Sequence, residues 1–88
     1  MPTIAWFYGI AIRMYVRDHP PPHFHAVYGE YEANVSIDTG DVIEGELPRT
    51  ATRLVKEWTL ARQEGLRENW RRARAGAQLE KIAGLDAD

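Results

Sequence analysis

The 88-residue sequence contains no cysteine, which excludes a disulfide framework and a thiolate metal site and gives no pointer to secretion. It also lacks the run of about 20 apolar residues that a membrane-spanning helix requires. The stretch MPTIAWFYGIAIRMYV carries Arg13 early, and it has neither a basic lead nor a small-residue cleavage site, so it reads as strands and not as a signal peptide. The expected setting is therefore cytoplasmic, with no membrane partner. No internal repeat or low-complexity stretch is present. Outside residues 19–25 there is no histidine; all three fall in the eight residues DHPPPHFH. A nucleophile, base and orienting group at recognisable spacing is also missing, which weakens any assignment of covalent catalysis.

What is present fits one small domain spanning residues 1–88. A chain of this length buries only about 60 to 65% of the surface its unfolded form exposes, so its core is thin. The net charge of -2 conceals a division. Residues 1–47 carry two arginines against seven carboxylates, whereas residues 48–81 carry nine basic residues against four glutamates. That layout implies either a basic face for an acidic partner or compensation between two layers of the fold.

The first 47 residues have the period-two alternation of strands. Ile10, Ile12, Met14 and Val16 share one face, opposite Arg13, Tyr15 and Arg17. The preceding TIAWFYG is β-branched and aromatic, with a bend at Gly9. Two alternating runs then flank Gly29-Glu30, a pair suited to a type II′ hairpin turn. This turn sets 28 opposite 31 and 23 opposite 36. One face then holds Phe24, Ala26, Tyr28, Tyr31, Ala33, Val35 and Ile37, and the polar face holds His23, His25, Glu32, Asn34 and Ser36. A further turn at Asp38-Thr39-Gly40 would put Ile43 across from Val35.

Pro48 suits a helix start, and Ala51, Leu54, Val55, Trp58 and Ala61 recur at helical spacing. Leu66, Trp70 and Ala73 resume the pattern up to Gly76. The expectation is two helices over residues 48–76 with a break near Gly65, then an extended tail, 77–88, anchored by Leu79, Ile82 and Leu85. The fold class is therefore α+β: an antiparallel sheet of four or five strands with one face covered by two C-terminal helices. The aromatics Trp6, Phe7, Tyr8, Trp58 and Trp70 are expected in the core, because so small a domain needs its large side chains inside.

Three uses are open for the histidine loop: polar surface, catalysis, or metal binding. Extended prolines rise about 3.1 Å per residue, which would hold His19 and His23 roughly 12 Å apart. His23 and His25 form an H-x-H pair on one side of a strand and could chelate. A third ligand would have to come from Glu32, Asp38 or the loop before the strand. Without it, two donors make no tight zinc site, and no metal or cofactor is expected; the rings would instead be solvated or bonded to Asn34 and Ser36. If the loop is catalytic, His23 and His25 are the acid–base candidates, and Arg13 and Arg17 would stabilise a phosphate. On the helices, Arg49, Arg53 and Lys56, and again Arg67, Arg71 and Arg74, line stripes that would meet an acidic partner or phosphates.

The segments FYGI.IRMY..DH.PPHFH..YGEYEA and TG.V.EGELP, together with EW and ENW..A in the helices, resemble the small prokaryotic family of the domain of unknown function 4160. The resemblance covers nearly the whole chain. It implies a bacterial intracellular domain, often encoded beside another short protein in a toxin–antitoxin-like arrangement, and it supplies no catalytic residues. The expected function is accordingly a protein-interaction module with a small partner encoded nearby, with homodimer formation and weak nucleic-acid binding as further expectations. The alternatives are a small nuclease-like toxin using the histidine loop and a nucleic-acid-binding transcriptional regulator.

Overall fold

Alternating residues and tight turns build a meander. A computed structural model describes residues 2–86 and contains β1 (Thr3–Phe7), β2 (Ile10–Arg13), β3 (His23–Tyr28), β4 (Tyr31–Ser36) and β5 (Val42–Gly45), followed by α1 (Arg49–Ala61) and α2 (Gln63–Ala75). The strands lie in sequence order in one antiparallel sheet, and both helices follow it, so the protein is α+β. The β3–β4 register matches the sequence expectation: Tyr28 pairs with Tyr31, Phe24 with Val35 and His23 with Ser36. Gly29 has φ +57 while Glu30 is not left-handed, the combination a type II′ turn uses.

The core lies between the sheet and the helices. Phe24, Ala26, Ala33, Val35 and Ile37 from the hairpin meet Ile4, Phe7, Ile10, Ile12 and Met14 from the first two strands, and the helices add Val55, Trp58, Leu66 and Ala73. Trp58 packs against Phe7 and Phe24 at ring separations of 5.1 and 5.6 Å.

Several expectations are corrected, each for a local reason. Trp6, 64% exposed, lies on the sheet face away from the helices, because its neighbours Ala5 and Phe7 take the inner positions. Tyr8, 56% exposed, occupies the β1–β2 turn at φ +50 and points outward, while Tyr28 and Tyr31 fall on the inner face but at a strand end where their rings stay exposed. Trp70 is only half-buried, at the helix margin. Val16 is exposed because β2 ends at Arg13. Ile43 does not oppose Val35; a bulge puts Val42 there and turns Ile43 out. The helix break is at Arg62 (φ -124), and Gly65 lies inside α2, where Ile82 of the tail packs over it. Gly76 ends α2 in the left-handed conformation.

The tail is fastened along β1 and the helices by main-chain and side-chain bonds. Ile82 N–H donates to the Ile4 carbonyl at 2.7 Å, and Trp58 Nε1 donates to the Ala83 carbonyl at 2.8 Å. Buried Asn69 donates to the Glu80 carbonyl and accepts from the Glu80 N–H.

Gly45 gives a direct check of the bulged β4–β5 pairing. It has φ +80, and a Cβ there would run into the Glu32 carbonyl oxygen and Ala33 Cα. Gly45→Ala is therefore expected to destabilise the protein by about 1 to 3 kcal/mol, through left-handed strain and the displaced strand. An unchanged thermal midpoint would contradict this strand pairing.

Candidate functional site

The loop between β2 and β3 supplies the chemistry. Arg17 is left-handed (φ +60), and its N–H donates to the Ala73 carbonyl at the end of α2, so the chain is pinned where it turns back toward the sheet. Asp18 follows and points at the start of β3. The Pro20–Pro21 bond is cis, and the His19 and His23 rings are 5.5 Å apart, in place of the roughly 12 Å of an extended polyproline segment. Asp18 is the third group that sequence reasoning did not name. Only its place in the loop pointed to it, because the turn that aims it depends on a packing contact with α2.

Asp18 Oδ2 lies 3.0 Å from His23 Nε2 and 3.2 Å from His25 Nε2. One donor atom from each of the three residues can be chosen so that all lie within 4.8 Å of one another. The cluster is shielded: the side chains of His23, His25 and Asp18 are 3%, 14% and 15% exposed. Trp70 covers His23 at a ring separation of 5.4 Å, and the Tyr15 ring meets His25 edge-on at 4.2 Å. Outer contacts orient the groups. His23 Nδ1 bonds the Pro21 carbonyl at 2.7 Å, Asp18 Oδ1 accepts from the His19 N–H at 2.9 Å, and Glu32 Oε2 stands 3.6 Å from His25 Nδ1.

Burial pushes the Asp18 carboxyl up, but the His25 hydrogen bond, the His19 N–H and the charges of His23 and His25 outweigh it, so its pKa lies below the ordinary value. Asp18 is thus a carboxylate at neutral pH. His25 Nε2 bonds it, whereas His23 Nε2 and His25 Nδ1 are buried without any hydrogen-bond partner. The 3.0 Å approach of His23 to Asp18 is close enough for a bond but wrongly angled for one. The histidines therefore do not bond Asn34 and Ser36 as expected; Asn34 instead donates to Glu44. A shallow depression of about 230 Å³, lined by His19, Pro21, His23, Asn34, Ile43 and Glu44, opens beside the cluster.

Of the other candidates, Arg13 lies opposite His25 in the β2–β3 register, while the Arg17 guanidinium rests against Gly76, at the end of α2. The basic stripes divide. Lys56 pairs with Asp41 and Arg67 with Asp38, both at 2.7 Å, and Arg71 and Arg72 share Glu68. The contacts with Lys56 and with the two arginines hold Asp41 and Glu68 below their usual pKa range. Arg74 lies 5.8 Å over the Trp70 ring. Arg49 and Arg53 are exposed and make no ion pair among the described residues. Arg49 begins α1 and Arg53 lies one turn further on; the helix has no side-chain cap and no acidic residue in its first turn. Alongside runs a groove of about 260 Å³ lined by Tyr8, Ile10, Tyr28, Pro48, Thr50, Ala51 and Leu54.

No helix among the described residues is long and apolar enough to cross a membrane. A family model described as Domain of unknown function (DUF4160) matches residues 9–71, from the first turn through most of α2. No curated protein and no solved structure matches the chain.

Proposed function

The chain belongs to the DUF4160 family, and from that premise we propose that it is a small protein-interaction module, one half of a two-gene pair of the toxin–antitoxin or regulatory kind. The observation that carries this reading is the apolar groove between the β-strand turns and the start of α1, the helix that also carries the exposed Arg49 and Arg53. Two exposed tyrosines, Tyr8 and Tyr28, form its outer wall. Aromatic anchors in a concave patch, with arginine on the same surface element, are what protein interfaces concentrate. Both arginines and the uncapped α1 N-terminus favour negative charge, so the partner is taken to be a small protein presenting an apolar segment flanked by carboxylates.

Nucleic-acid binding has less to work with. Lys56, Arg67 and Arg71 are engaged by the protein's own carboxylates, and a phosphate would have to displace those partners. Catalysis by the histidine loop is disfavoured by access, because a general base must reach its substrate and His23 is enclosed beneath Trp70. Titration with mixed-sequence RNA and DNA at physiological ionic strength is therefore expected to give only weak, non-specific binding, at about 10⁻⁴ to 10⁻⁶ M. A sub-micromolar, sequence-dependent affinity that disappears in an Arg67→Glu, Arg71→Glu double variant would replace this reading with the regulator one.

A further inference from the structure

We propose that Asp18, His23 and His25 form a binding site for one first-row divalent transition-metal ion, for which zinc is the probe. The donors are two imidazoles and one carboxylate, a set that suits ions of borderline softness, and three protein ligands are what an open, non-structural zinc site uses. Sequence spacing supplies only the two histidines, and the expectation of no tight metal site rests on that number. The turn at Arg17 brings in the third donor.

The surroundings of the His23 ring call for a cation. Its Nδ1 is 2.7 Å from the Pro21 carbonyl, which can only accept, so Nδ1 carries the proton. In the neutral ring the Nε2 lone pair then faces Asp18 Oδ2 at 3.0 Å, one acceptor against another inside a side chain that is 97% buried on the complement of its 3% exposure. Protonating Nε2 would turn the contact into an ion pair but would still not give Nε2 a hydrogen bond at this angle. A cation between the two groups converts this opposition into coordination. An ion about 2.0 to 2.2 Å from each donor fits a cluster whose donor atoms lie within 4.8 Å of one another, with small side-chain adjustments.

The surroundings match what holds metal ligands in place. A ligating imidazole ordinarily gives its other N–H to a carbonyl or carboxylate; His23 has the Pro21 carbonyl, and His25 has Glu32 near Nδ1. Asp18 is oriented by the His19 N–H. His23 also borders the depression that holds His19, Asn34 and Glu44. A fourth coordination position would take water or a small anionic ligand.

The test uses the full chain without a histidine tag, stripped with chelator and then titrated with zinc. Expected are one equivalent of zinc per chain, retained through gel filtration, and a higher thermal midpoint. Asp18→Asn and His25→Gln, which leave the most buried ring in place, should each weaken binding at least about tenfold while circular dichroism stays that of the folded protein. His19→Ala should retain the single equivalent. Cobalt(II) should give visible absorption in the natural protein that both weakened variants lose. The proposal is overturned if zinc is lost on gel filtration, if Asp18→Asn binds as tightly as the natural chain, or if His19→Ala alone abolishes binding and so locates the ion on the exposed loop.

Discussion

Trp58→Ala is expected to remove about 3 to 5 kcal/mol of stability, a large share of a total on the order of 5 to 15 kcal/mol. The side chain is fully buried, and three separate parts of the fold meet on it: Phe7 of β1, Phe24 of β3 and the Ala83 carbonyl of the tail. Alanine leaves a cavity between sheet and helices that the backbone of two strands cannot close. It also leaves that carbonyl without its donor. Chemical denaturation followed by far-ultraviolet circular dichroism measures the loss. A midpoint within error of the natural protein would mean that the helices pack on the sheet elsewhere.

Ending the chain after Gly76 is expected to be nearly as damaging, although residues 77 onward include no helix or strand among those described. The cut strips Leu79, Ile82 and Leu85 from the core margin and exposes the α2 surface around Gly65. It also orphans two polar side chains, the Trp58 indole and Asn69, each of which costs about 1 to 3 kcal/mol when buried without a partner. The family match ends at residue 71, and neither β1 nor the tail belongs to it, yet the two are bonded to each other through Ile4 and Ile82. A shortened chain that melts with the cooperativity and midpoint of the full one would show the tail to be an ornament.

How far the sequence foretells this depends on whether a feature is set locally. The β3–β4 register followed from one turn and one alternation, since a slip by one residue would have put His25 inside and Phe24 outside. The α2 end followed from Gly76. Strand ends were less legible: Tyr28, Tyr31 and Val16 keep the alternation, but the helices do not reach over them. Size alone points Trp6 and Tyr8 to the core, and their positions in the pleat and turn prevail over size. Ile43 needed a bulge that no residue announces. In the site, the H-x-H pair was plain from spacing, and Asp18 was hidden because its aim depends on Arg17 bonding the end of α2, fifty-six residues away. The charge division was visible, and its resolution into Lys56–Asp41 and Arg67–Asp38 came only with the packing of helices beside the β4–β5 turn.

The interaction reading is tested most directly by co-expressing the protein with the product of the gene adjacent to its own and measuring complex formation by calorimetry with a Tyr8→Asn, Arg53→Glu double variant as the comparison. Asparagine tolerates the left-handed turn position that Tyr8 occupies, so the variant should fold and lose only the groove wall and the nearby cation. The account predicts a stable complex with the natural chain that persists as salt is raised, weakened at least about tenfold in this variant, about 1.4 kcal/mol, and little changed in Arg67→Glu. No complex at all, or one unaffected by the groove variant and abolished by Arg67→Glu, would contradict it.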